Sequence, residues 1–105
     1  MGLGCQKINL EEDAPRCIKR EIRKILEEPV RRPPAEMWRY EYKGKTVYYV
    51  PPSCCDRMSV LFDSDCNIIC NPDGGFHGGG DGTCLDFSSL RTNGTLIWKD
   101  DDLDR

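Results

Sequence analysis

Seven cysteines are the residues of this chain best placed to do chemistry: Cys5, Cys17, Cys54, Cys55, Cys66, Cys70 and Cys84. Zinc requires thiolates at knuckle spacing such as C-x-x-C, whereas the spacings here are a vicinal pair, C-x10-C and C-x3-C, so disulfides are expected instead. Seven is odd; setting Cys5 aside leaves Cys17, Cys54, Cys55, Cys66, Cys70 and Cys84, an even six expected to make three disulfides. A Cys54–Cys55 bond would close a strained ring, so each of that pair is expected to tie to a different element. His77 is the single histidine, which excludes multi-histidine metal sites. As a catalytic base it would sit among glycines, where productive geometry is hardest to hold.

Carboxylates supply the other candidate chemistry. Residues 71 to 83 contain six glycines together with Asp73 and Asp81, and Asp86 follows closely. Asp73, Asp81 and Asp86 could converge with backbone carbonyls on a hard cation such as Ca²⁺. The same composition also describes a turn-rich loop in which glycine supplies positive φ and aspartate bonds its own backbone. Asp63-Ser64-Asp65-Cys66-Asn67 begins like an EF-hand, but Ile68 and Gly74 stand where that loop needs glycine and glutamate, which leaves an acidic hairpin turn. Gly44-Lys45-Thr46 lacks the earlier glycine of a phosphate loop, since Arg39 stands there, and no G-x-G-x-x-G occurs. Asn93-Gly94-Thr95 fits a glycosylation acceptor by pattern and a plain turn by composition.

The elements that must position these groups are few. A chain of 105 residues allows one small domain, and Leu, Ile, Val and Phe make up about a fifth of it, close to the limit for a burial-driven fold. Crosslinks are therefore expected to share the load. Residues 1 to 12 read as a tether and 13 to 105 as a single α+β domain. Asp13 and Pro15 open a helix whose Ile18, Ile22, Ile25 and Leu26 form one apolar stripe, and Pro29 closes it. Residues 37 to 50 alternate and are rich in Trp, Tyr and Val around Lys43-Gly44, which predicts a hairpin with Tyr40 opposite Val47 and Trp38 opposite Tyr49. The helix is expected to pack on that aromatic face, with Arg39, Glu41 and Thr46 on the other. A second short hairpin joins 59 to 62 with 68 to 70, Asp86 caps one helical turn through Leu90, and 95 to 98 form a last strand after a turn at Asn93-Gly94.

Charge and hydropathy bound the partners. Fifteen basic against eighteen acidic side chains give a net charge of −3, which does not suit nucleic acid. No apolar run approaches the twenty or so residues that a membrane-spanning helix needs. Leu3-Gly4-Cys5 has the form of the end of a bacterial lipoprotein signal, in which Cys5 would carry the lipid; the alternative is a chance cysteine near a terminus.

The segments Cys54-Cys55-Asp56, Cys66-Asn67-Ile68-Ile69-Cys70, Asp73-Gly74-Gly75 and Gly80-Asp81-Gly82-Thr83-Cys84 resemble a family of small secreted, cysteine-rich bacterial lipoprotein domains of unknown function. Leu85 departs from the pattern, where proline is expected. The resemblance implies an exported, lipid-tethered, disulfide-bearing domain in the periplasm or at the cell surface, and brings no catalytic residues. The expected fold is α+β, an amphipathic helix on a small antiparallel sheet with a stapled Gly/Asp-rich loop. The expected function is a non-enzymatic module binding an envelope or extracellular protein or glycan, with a weak calcium site in the loop. The alternatives are a small extracytoplasmic hydrolase, a thiol-redox protein using His77 or the Cys54-Cys55 pair, and a secreted enzyme inhibitor.

Overall fold

The structure, a computed structural model, describes residues 14–29, 31, 34–52, 57–75 and 78–100. Helix α1 spans Arg16–Leu26, followed by strands β1 Glu36–Tyr42, β2 Lys45–Val50, β3 Val60–Phe62 and β4 Ile68–Cys70, the short helix α2 Phe87–Leu90, and strand β5 Thr92–Lys99. Five strands form one antiparallel sheet in the order β4-β3-β2-β1-β5. The α+β class expected from the sequence is the one observed. Among the described residues no helix is long and apolar enough to cross a membrane.

Local chemistry explains the elements. Asp13, the expected cap, lies outside the described residues; Pro15 stands at the N-cap of α1, where its missing N–H costs no helical bond, and its carbonyl accepts the N–H of Ile18 at 3.0 Å. The β1–β2 turn places Lys43 at φ 52° and Gly44 at φ 79°, the two positive values that a two-residue hairpin turn needs to match strand twist. Its register pairs Tyr40 with Val47 and Trp38 with Tyr49, as the alternation predicts. The β3–β4 hairpin also forms, and Asp63 organises its turn by accepting the N–H groups of Asp65 and Asn67, both at 2.9 Å.

The helix takes the opposite sheet face from the one expected. Ile18, Ile22 and Ile25 pack with Met37, Tyr48, Val50, Phe62, Ile97 and Trp98. The Trp38/Tyr40/Val47/Tyr49 face instead joins Tyr42, Leu61, Phe87 and the Cys70 and Cys84 side chains in a second cluster under α2. The physical reason is that Val47, Tyr48, Tyr49 and Val50 are all buried, so β2 is covered on both faces and alternation along β1 alone does not identify the helix side.

Strand β5 begins earlier than expected. Asn93-Gly94 is not a turn between elements but part of an irregularity inside the strand, where the β1–β5 register shifts between Arg39 and Glu41 and Asn93 adopts φ 55°. Glycine is required at 94 because a Cβ there would run into the Tyr40 ring.

Candidate functional site

The Gly/Asp-rich loop grows out of β4 and returns beneath α2, and the Cys70–Cys84 disulfide closes its base with the two Cα atoms 6.3 Å apart. Within it, Ser59 is fully buried and acts as a post: its N–H donates to the Asp73 carbonyl at 2.9 Å, its Oγ accepts the Asp73 N–H at 3.0 Å, and its own carbonyl accepts the Asn71 side-chain amide at 2.7 Å. Gly80 is pressed against the backbone of Asn71, so closely that a Cβ would collide with the Asn71 carbonyl oxygen. That contact brings the Asp81 N–H to 2.9 Å from the same carbonyl. A segment whose composition alone reads as flexible is thus tied down by named bonds.

The aspartates expected to bind metal serve this scaffold. Tyr49 directs its hydroxyl at both carboxylate oxygens of Asp73, at 2.8 and 2.9 Å. Asp81 accepts the Thr83 N–H at 3.0 Å and hydroxyl at 2.7 Å on one oxygen and the Asn71 N–H at 3.0 Å on the other. Asp86 stands at the N-cap of α2 without capping it through its side chain; one oxygen accepts the Tyr42 hydroxyl at 2.6 Å and the other pairs with Lys43 at 3.2 Å. The structure does not bring Asp73, Asp81 and Asp86 to one point, and among the described residues no group of three His, Cys, Asp or Glu side chains is placed to hold a metal ion. In the structure each of these carboxylates faces protein donors.

The electrostatics follow these bonds. Hydrogen bonds from Thr83 hold the Asp81 carboxyl below its usual range, the Tyr42 hydroxyl does the same for Asp86, and the Asn67 N–H does so for Asp63. Burial, reinforced by the Asp73 hydrogen bond, pushes the Tyr49 phenol strongly upward; burial and Asp86 raise Tyr42 as well. These tyrosines are donors fixed in their neutral form at any ordinary pH, which suits a structural role.

Of the cysteines, Cys17 bonds Cys66 across 49 residues and joins α1 to the β3–β4 turn, while Cys70 bonds Cys84 across 14. Cys5, Cys54 and Cys55 lie outside the described residues, as does His77. Cys17 with Cys66 and Cys70 with Cys84 account for four of the six cysteines expected to crosslink, and the expectation for Cys54 and Cys55 lies outside the described residues.

Arg91 had no signal in the sequence beyond being one of few basic residues in the second half. Its guanidinium lies 4.7 Å from the Tyr40 ring centre, 5.2 Å from Phe87 and 5.9 Å from Tyr49, so it closes the second cluster by cation–π contact where α2 gives way to β5. The rings beneath it meet edge-on, Tyr40 on Phe87 at 5.5 Å and Tyr42 on Phe87 at 5.2 Å.

A family model described as a domain of unknown function, DUF6970, matches residues 23–100. The chain belongs to that family, and the match takes in most of the second half of α1, the whole sheet and the stapled loop. No curated protein and no solved structure matches the chain. The two disulfides point to an oxidising, extracytoplasmic environment, because cytosolic reductants keep ordinary thiols reduced.

Proposed function

We propose that the chain is an exported interaction module of the bacterial envelope, lipid-anchored through Cys5 and presenting the Cys70–Cys84 loop to an envelope or extracellular protein or glycan. The observation that carries this reading is the preorganisation of the loop. Its base is crosslinked and its interior bonds to Ser59, Tyr49 and Asn71, so a partner would not have to order six glycines on binding. Leu85, 69% exposed and with its side chain facing the open side of Gly79, offers an apolar anchor beside the loop. A net charge of −3 does not suit nucleic acid, and the reading gives the loop aspartates a scaffold role, facing Tyr49 and Thr83.

The test replaces Leu85 with a photo-crosslinking residue in cells producing the anchored protein, with exposed Glu27 at the end of α1 as the control position. A discrete adduct from 85 and none from 27, on a protein whose mature N-terminus carries lipid at Cys5, is the expected result. An unlipidated protein, adducts that do not depend on position, or substrate turnover by the purified domain would overturn it.

A further inference from the structure

The two disulfides among the described residues sit in different surroundings. Cys70 and Cys84 are 3% and 6% exposed, enclosed with Tyr42, Leu61 and Phe87. Cys17 and Cys66 are half-buried, and their chain neighbours Arg16, Asp65 and Asn67 are exposed, as is Arg20 one turn further along α1. Cys17 is the second residue of an 11-residue helix with no acidic side chain in its first turn, so the helix dipole, Arg16 and Arg20 favour its thiolate. Cys66 follows Asp65 in a turn organised by Asp63, and these carboxylates disfavour a thiolate there. The sulfur of lower pKa leaves faster in thiol–disulfide exchange.

We infer that Cys17–Cys66 is a reducible strap, opened by a dithiol reductant while Cys70–Cys84 stays closed. A reductant thiolate attacks the Cys66 sulfur; the S–S bond breaks, and Cys17 leaves as a thiolate with the bonding electron pair. The second reductant thiol then attacks the mixed disulfide and releases Cys66. The reductant ends as a disulfide, and its two electrons and two protons end on Cys17 and Cys66. Opening removes a crosslink spanning 49 residues, which in the chain-entropy model lowers the folded-to-unfolded ratio about a thousandfold. The helix is then held by noncovalent packing, Ala14, Ile18, Ile22, Ile25 and Leu26 against the sheet, so the strap sets how firmly α1 is fixed to the β3–β4 turn. The inference does not depend on a lipid at Cys5 or on a partner at the loop.

The experiment treats native soluble protein, its free thiols already blocked, with a dithiol at increasing times, traps new thiols by alkylation and assigns them by peptide. Cys17 and Cys66 should label together at least about tenfold faster than Cys70 and Cys84, with hydrogen exchange rising in α1 before the sheet. Replacing Arg16 and Arg20 by Glu should slow the opening about threefold or more, while Arg23→Glu, two turns along, should leave it unchanged. Simultaneous opening of both bonds, earlier opening of Cys70–Cys84, or an equal response to all three arginine substitutions would overturn the inference.

Discussion

Three loop glycines share a positive φ but differ in the space around them, which permits a matched experiment on how the loop is held. Gly78 (φ 81°), Gly80 (φ 63°) and Gly82 (φ 81°) would each strain an alanine, at about 1–2 kcal/mol for a left-handed residue. At Gly78 and Gly82 nothing lies within 4 Å of the added Cβ, so the conformational cost is the whole effect. At Gly80 the Cβ meets the Asn71 carbonyl oxygen and lies 2.7 Å from the Asp73 nitrogen, backbone atoms that cannot swing aside. Relief requires the loop to part from Asn71, giving up the bonds between Asn71 and Asp81, each worth about 1 kcal/mol, on top of overpacking of about 1–3 kcal/mol. Gly80→Ala should therefore lose about 4–7 kcal/mol and the other two about 1–2. In thermal unfolding, where 1 kcal/mol corresponds to roughly 4–8 °C for a domain this size, the gap should be 10 °C or more. Equal midpoints for the three variants, or a harmless Gly80→Ala, would refute the close packing of the loop on Asn71.

Other expectations concern the two clusters and the carboxylates. Ile22 is fully buried under α1, so Ile22→Ala should cost about 2–4 kcal/mol in urea unfolding; an unchanged midpoint would show α1 undocked. Tyr49→Phe strips the Asp73 carboxylate of its hydroxyl partner and should cost about 1.5–3 kcal/mol, less where water reaches Asp73, with the loss showing first as faster hydrogen exchange in 71–83. Because the carboxyls of Asp63, Asp81 and Asp86 are lowered from about 3.8 on folding, their contribution is intact above that value and fades as pH falls through their folded values. The melting temperature should thus be flat from pH 7 to about pH 5 and fall below about pH 4, with Asp81→Asn reducing the acid-side slope.

How much of this was visible before the structure depends on the kind of residue. The hairpin at 36–50 was legible because Lys43-Gly44 sets the register and the alternating aromatics confirm it. The side on which α1 packs was not, since four successive apolar residues in β2 serve both faces. The start of β5 was missed because Asn-Gly marks turns and in-strand bulges alike, and only the Tyr40 ring against Gly94 distinguishes them. Aspartates among glycines signal a loop, but whether they face a cation or a neighbouring tyrosine depends on Tyr49 and Tyr42, far away in sequence. Cysteine parity pointed to disulfides without giving their connectivity, since that depends on which turn α1 happens to face.

Peptide mapping of protein prepared without reductant, under conditions that block disulfide exchange, tests the account most directly. It should give one linked pair holding Cys17 and Cys66 and another holding Cys70 and Cys84, with no link from any of these four to Cys54 or Cys55. A bond from Cys17 or Cys84 to the Cys54-Cys55 pair would contradict this connectivity, and free thiols at these four positions would contradict both the stapled loop and the oxidising compartment drawn from it.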